Sequence, residues 1–422
     1  MATAQPATSA APPEAVGPAH VGVVSFLAAR AAPTGGFWIA LAGGVALARV
    51  AERRGARLGF GASAAAMLET VAIIGPARFG VPLTQALSAP ILGRLHARGV
   101  GFWPQLAACA AVRLLHNAVT TAFFIWVIAG GLDAYAGTYD AIGRRVGLAV
   151  GTSDAIALTL ISLLLWAAFA STVQVLVYRH GLRAWPEESD ERQHRGTPSA
   201  GWWVSVAENA THTPHLRRFD PRAVALSAVV LFVLLLAGTH WALLGAVAAW
   251  LAAAWLLSRP DPEPLPAGLV FASVLGIGAF VFGLGGGLGL DTAVRRAIRA
   301  GLLVMAATWL RAAAGAAGLR EVSRRALGRL RRVPAATEAA EVLDGIDSEG
   351  RLADAARNLV ARVSEVPKRP RALLDAVLSW VVRESAAFEP APRRRSRELR
   401  AAAADVALVA SAAAPFLAIA LG

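Results

Sequence analysis

Four polar residues interrupt apolar stretches in the first half of the chain, and they are the first candidates for chemistry. Glu69 lies within AAAMLETVAIIGP, and Arg113, His116 and Asn117 lie within CAAVRLLHNAVTTAFF. A charged side chain inside a bilayer costs roughly 2.5–3.5 kcal/mol on insertion scales, so such a residue is a functional hypothesis by default. Residues three and four apart are neighbours on a helix, so His116 and Asn117 both lie beside Arg113.

The sequence leaves three interpretations of these residues open. Glu69 and Arg113 can pair across two helices, neutralise each other and hold the helices in register. The four residues can instead line a polar cavity for a small solute. They can also be catalytic, as in an intramembrane lipid-modifying enzyme, but the zinc-protease patterns His-x-x-x-His and His-Glu-x-x-His do not occur. We predict a protein that is not an enzyme, with no catalytic residue, no metal site and no cofactor.

The composition indicates that membrane helices carry these residues. Of 422 residues, 56% are hydrophobic and only 16% are charged, whereas soluble domains carry about 25% charged residues. A bilayer core needs about 20 apolar residues in a helix, and repeated stretches approach that length. The sequence therefore predicts an all-α, polytopic integral membrane protein with about ten or eleven transmembrane helices and additional amphipathic helices.

Changes in composition divide the chain into six regions. We predict a disordered tail at 1–19, an N-terminal membrane domain of five or six spans at 20–180, a linker at 181–220, a four-span membrane domain at 221–318, amphipathic helices at 319–400 and a last span at 401–422.

The distribution of arginine predicts the orientation in the membrane. Six arginines lie between residues 179 and 220, and six more lie within Leu319–Arg332. Because basic loops favour the cytoplasmic side, we expect the loops 179–220 and 319–400 to be cytoplasmic in a multi-pass protein of the bacterial cell (inner) membrane. Arg144 and Arg145 conflict with this topology, since they fall on the opposite side.

The region 319–400 has the periodicity of three amphipathic helices. The first carries Leu319 and Val322 and ends at Pro334, the second contains Leu352 and Leu359, and the third is Arg371–Phe388. Their apolar stripes require a covering surface. The helices can pack on each other and on the bilayer, where basic helices bind membrane lipids, or they can pack on a partner protein.

The stretch Arg218-Phe219-Asp220-Pro221-Arg222, followed by four apolar spans, basic helices and a final span, resembles the transmembrane (T) component of energy-coupling factor transporters. The resemblance covers about residues 216–421. It implies that the chain couples separate ABC-type ATPase subunits to uptake of a small solute, a vitamin or a metal ion. It also implies contacts of the basic helices with the ATPases, for which the candidate residues are Arg320, Arg324, Arg325, Arg329, Arg357 and Arg362.

The coupling region departs from the family at its two Ala-Arg-Gly signatures. Ala356-Arg357-Asn358 and Ala361-Arg362-Val363 stand in their place. This departure keeps open a second function, that of a membrane scaffold or assembly protein without a transport cycle.

The first half resembles a substrate-binding (S) component in size and span number. Its small residues Ala40, Gly44 and Ala48 are four apart and would let another helix approach closely; the resemblance implies that they contact the T component. The chain's only lysine, Lys368, is in no Gly-Lys-Ser/Thr motif, so a separate subunit must supply any ATP hydrolysis. The arginine runs lack interleaved aromatic residues, so we predict no nucleic-acid partner.

Overall fold

A computed structural model describes residues 13–78, 82–185, 219–330, 332–390 and 402–416, and within these ranges the chain is helical without strands. The helices of the first half are α1 (Pro13–Ala31), α2 (Gly36–Arg54), α3 (Ala56–Ile74), α4 (Pro82–Ala97), α5 (Phe102–Phe123), α6 (Leu132–Arg145) and α7 (Thr152–Ala184). A π-helical segment, Phe124–Ala129, continues α5.

The described part of the second half contains eight further α-helices. They are α8 (Pro221–Ala237), α9 (Trp241–Ser258), α10 (Pro264–Gly285), α11 (Leu290–Arg329), α12 (Pro334–Gly345), α13 (Glu349–Glu365), α14 (Pro370–Ala387) and α15 (Ala403–Ala412).

Six of the described helices are long and apolar enough to cross a membrane, which confirms the predicted all-α polytopic class. They are α3, α5 with its π-helical continuation, α7, α9, α10 and α11, and their mean hydropathy is between 1.3 and 2.2. Large apolar side chains of α5, α7 and α10 remain exposed, among them Leu115, Leu165 and Val270. An apolar surface of this extent marks contact with a membrane.

The first packing unit surrounds α2, which is buried along most of its length. It consists of α1–α4, the second half of α7 and α12–α14, whose apolar residues form one core. Small residues allow this close packing: a Cβ on Gly44 would lie 1.7 Å from the Tyr178 hydroxyl of α7, and one on Gly93 would lie 1.9 Å from the carbonyl oxygen of Ala48. The predicted small-residue stripe of α2 therefore serves packing within this unit.

The second packing unit contains α8, α9, α11 and α15, and α10 packs along α11. Trp309 of α11 lies at its centre, fully buried. The Trp309 ring meets Trp250 edge to face at 5.3 Å, and its indole N–H donates to the Ser258 hydroxyl at 3.2 Å. Spans of the second half thus form their own core.

The amphipathic helices do not use the covering surfaces that the sequence suggested. The apolar residues Leu352, Leu359 and Val363 of α13 are buried in the first packing unit, because α13 packs mainly on α1, α12 on α3, and α14 on α1 and α2. The first half of the same chain therefore covers the apolar residues of α13 and α14, whereas Leu319 of the first pattern is buried in the second core and Leu330 is exposed. The periodicity also missed α12, since we ended the first amphipathic pattern at Pro334 and Pro334 begins a new helix.

Two predicted boundaries need correction. Residues 13–19 of the expected disordered tail are the first turns of α1, where Ala15 and Val16 are buried in the first core. The predicted linker begins inside α7, which extends to Ala184. The rest of the tail, residues 186–218 of the linker and the end of the last predicted span lie outside the described residues.

Candidate functional site at the α3–α11 junction

Glu69 is paired with Arg320 of α11. The Arg320 Nε donates to Glu69 Oε2 at 2.5 Å, and its Nη2 donates to Oε1. The Glu69 side chain is 1% exposed and that of Arg320 is 10% exposed. The Glu69–Arg113 pair considered from the sequence is therefore wrong, and so is the placement of Arg320 on a partner-facing surface. Burial requires both charges to have a partner, and each has the other.

The same guanidinium also binds the connection between α12 and α13. Its Nη1 donates to the carbonyl oxygen of Ile346 at 3.2 Å, and its Nη2 donates to that of Asp347 at 2.6 Å. Arginine offers five N–H donors in a fixed plane, which suits one side chain that serves four acceptor atoms on three residues. Arg320 thereby joins α3, α11 and the connection between α12 and α13.

Arg311 makes a second connection between the same elements. Its Nε donates to the carbonyl oxygen of Ile73 at the end of α3, at 2.7 Å. Its Nη2 forms an ion pair with Glu349, the first residue of α13. Burial raises the pKa of the Glu349 carboxyl above its ordinary value, the Arg311 charge opposes that shift, and nearby carboxylates such as Glu263 add to it.

A kink in α11 separates the two arginines. Gly315 has φ 61° and ψ 166° inside an otherwise helical segment. Residues with a side chain rarely adopt this region, which is essentially reserved for glycine. Arg311 lies four residues before the kink and Arg320 five residues after it, so both limbs of α11 are attached to α3 and to α13 or its preceding loop.

Arg113 belongs to a different cluster, between α4, α5 and α7. Its Nη2 donates to Gln174 Oε1 at 2.7 Å, and the Gln174 amide nitrogen donates to the Ser88 hydroxyl at 2.6 Å. The Cys109 thiol is 3.4 Å from the same Gln174 oxygen. His116 and Asn117 lie further along α5, where their carbonyl oxygens accept from the Thr120 hydroxyl. The four polar residues therefore do not line one cavity: Glu69 is bound elsewhere.

The remaining coupling candidates have different environments. Arg324 and Arg325 both bind Glu321 on α11, with N–O distances of 2.8 and 2.6 Å, and Arg329 is exposed near the end of the helix. Arg357 and Arg362 of α13 are exposed, and Arg362 borders the cleft between α13 and α14. Only the last three present their side chains mainly to solvent.

The Asp-Pro-Arg stretch has a local structural role. Asp220 caps α8 by accepting from the Arg222 backbone N–H at 2.8 Å, and Pro221 occupies the first turn. The backbone N–H of Asp220 donates to Asp405 of α15 at 2.7 Å. This stretch thereby ties the start of α8 to the last described helix.

Sequence reasoning missed three residues that complete these sites: Gln174, Arg311 and Glu349. Gln174 and Arg311 each interrupt an apolar run, in STVQVLVY and ATWLRAAAG, and this signal was available. Glu349 lies in a polar segment and carries no such signal. Among the described residues, no group of three or more His, Cys, Asp or Glu side chains is arranged as metal ligands. His212 and His215, which are three apart in the sequence and for that reason a candidate metal-ligand pair, lie outside those residues.

Comparisons of the chain with protein-family models, with curated proteins and with solved structures find no match. The resemblance to T components thus rests on the residues and the helix order quoted above.

Proposed function

We propose that the chain is the transmembrane component of an ATP-driven uptake system of the energy-coupling factor type. In this proposal it transmits movement from separate ABC-type ATPase subunits to membrane helices that carry a small solute. A substrate-binding membrane subunit is a further partner in this proposal. The observation that supports this function best is the buried Arg320–Glu69 pair, which links a membrane helix to the amphipathic helices.

A coupling element must be rigid, so that a displacement at one end also moves the other end. Arg311 and Arg320 attach α11 to α3 and to the α12–α13 region on either side of the Gly315 kink. Buried ion pairs with several hydrogen bonds resist separation, since removing one partner leaves an uncompensated charge. A force applied to α13 is therefore transmitted to both α3 and α11.

The proposed docking surface for the ATPase subunits is the solvent-exposed part of α13 together with its cleft against α14. Arg357 is exposed on α13 and Arg362 borders that cleft, at the two positions where the T-component signatures would stand. Arg357 has a neighbouring Asp354 within its own helix, and such exposed pairs contribute little to stability. Both arginines can thus be changed without disturbing the core.

A scaffold without a transport cycle is the second candidate, and one observation favours it. Glu69 and Arg113 are both hydrogen-bonded to side chains of other helices. These polar groups therefore hold helices together without a bound solute. The lipid-modifying alternative has no such support, because Glu69 is bound to Arg320 and not grouped with Arg113 and His116.

Affinity purification of the full chain from its native membranes, with ATP hydrolysis measured on the eluate, tests the proposal. We expect an ABC-type ATPase pair to co-purify, and R357E/R362E to lose it. The matched control is R145E, which reverses an exposed charge on α6. Recovery of the folded chain without any ATPase would leave the scaffold as the function.

A further inference from the structure

A second group of buried arginines lies near the start of α11, at the end of that helix opposite to Arg320. Arg299 is 6% exposed, and Arg296 is partly buried one turn before it. The 21 residues between Arg299 and Arg320 correspond to about 30 Å of helix, which is the thickness of a bilayer core. Arg296 and Arg299 therefore lie at the boundary of the bilayer core opposite to that of Arg320.

Neither Arg296 nor Arg299 has a carboxylate partner within 4 Å among the described residues. The Arg296 Nη2 donates to the carbonyl oxygen of Gly130 at 3.4 Å, and the Arg299 Nη2 donates to that of Val127. Val127 lies within the π-helical segment, and Gly130 directly follows it. Neutral carbonyl oxygens supply hydrogen bonds but leave two positive charges in a partly desolvated site.

Several donors of the two guanidinium groups remain unused. The Nε and Nη1 atoms of Arg296 and the Nε of Arg299 are buried and have no hydrogen-bond partner among the described residues. Buried polar groups are almost always satisfied, and a lone buried guanidinium is costlier than a neutral group. The nearby carboxylate of Asp291 is already shared by Arg295 and the Trp241 indole N–H.

We propose that Arg296 and Arg299 bind a phosphate-bearing anion, either the headgroup of a phospholipid or free phosphate. Two guanidinium groups with unused N–H donors match the oxygens of a phosphate, which arginine binds with paired hydrogen bonds. Basic sites between transmembrane helices are a known type of lipid-headgroup site. Exposed apolar side chains nearby, Val281, Leu284 and Leu290, offer a surface for acyl chains. This site is independent of the proposed coupling function.

Binding to the purified full chain in a neutral detergent tests the site. The probes are inorganic phosphate, a short-chain phosphatidylglycerol, and a diacylglycerol with the same chains and no phosphate. We expect both phosphate probes to raise the thermal unfolding temperature and to bind in calorimetric titration, whereas the diacylglycerol does neither. R296Q and R299Q should each weaken binding about tenfold or more, because each removes charge-assisted hydrogen bonds.

Two controls keep the result interpretable. R145Q removes an exposed arginine from α6, close in sequence to the π-helical segment, and should leave binding unchanged. R299K retains the charge and serves if R299Q fails to fold; its binding should be weaker than wild type. Tighter binding of phosphatidylglycerol than of phosphate identifies a lipid as the ligand, and equal binding identifies a soluble anion. No binding of either probe, or an equal loss in R145Q, overturns the proposal.

Discussion

Glu69 and Arg320 are 251 positions apart in the chain and form one buried, two-point ion pair. Glu69 lies in a membrane helix of the first half, and Arg320 lies beyond the kink of the last long span. The pair joins α3 of the first packing unit to α11 of the second. Glu69 and Arg320 therefore depend on each other for their stability in the folded protein.

We expect R320M to destabilise the protein by about 3–5 kcal/mol, because it leaves the Glu69 carboxylate buried without a counter-charge. The double variant E69L/R320M should lose less than R320M alone, since no unpaired charge remains. Thermal and denaturant unfolding of the detergent-solubilised chain measures both. R371M, an exposed arginine of α14, is the matched control; equal stability of R320M and R371M would refute the buried pair.

Replacement of Gly315 by alanine should destabilise the chain by about 1–3 kcal/mol, because its backbone conformation is strained for any residue with a Cβ. Gly301 lies in the same helix, and a Cβ there would meet nothing within 4 Å. G301A should instead stabilise the helix by about 0.5–1 kcal/mol. Opposite signs in the unfolding free energies of the two variants are the expected result, and a stabilising G315A would show that the kink is absent.

Replacement of Gln174 by glutamate should stabilise the α4–α5–α7 cluster, with the Ser88 hydroxyl turning to donate to the oxygen that replaces the amide nitrogen. The new carboxylate oxygen would lie where the amide oxygen now accepts from Arg113 at 2.7 Å, and a buried guanidinium gains from a charged acceptor. Q174L should have the reverse effect, about 1–3 kcal/mol or more, because Arg113 loses its acceptor. The order of unfolding temperatures, Q174E above wild type above Q174L, is the measurement. The reverse order of Q174E and Q174L would contradict the cluster.

The stability of the protein should depend on the ionisation of Glu349. Its pKa is raised in the folded protein above the value of 4.5 that the unfolded chain retains. The folded state thus binds the proton more tightly, so the contribution of this group is largest below pH about 4.5 and is lost as the pH rises through the folded pKa. E349Q should lack this decline. The difference in unfolding free energy between wild type and E349Q, followed against pH, measures it; E365Q, at an exposed position of α13, should show no such difference.

Much of the helix layout could be predicted from local sequence. The repeated apolar stretches predicted membrane-spanning helices, of which the described residues contain six, and the apolar periodicity predicted α13 and α14. Local pattern succeeded because hydropathy and helical spacing are properties of neighbouring residues. It failed for α12. The pattern places Pro334 at the end of an amphipathic helix, but proline also favours the first turn of a helix, and Pro334 begins α12. It failed for residues 13–19, because their order comes from contacts with α12–α14.

Composition and hydropathy are sufficient to identify this chain as an all-helical membrane protein with costly polar residues at Glu69 and Arg113. Their partners, Arg320 and Gln174, become evident only from the packing of the helices. A buried charge requires a partner, but the partner's identity depends on which helices meet in space, and helix periodicity contains no such information. Three-dimensional packing also gave the amphipathic helices their covering surface, because α1–α3 lay close enough to bury them.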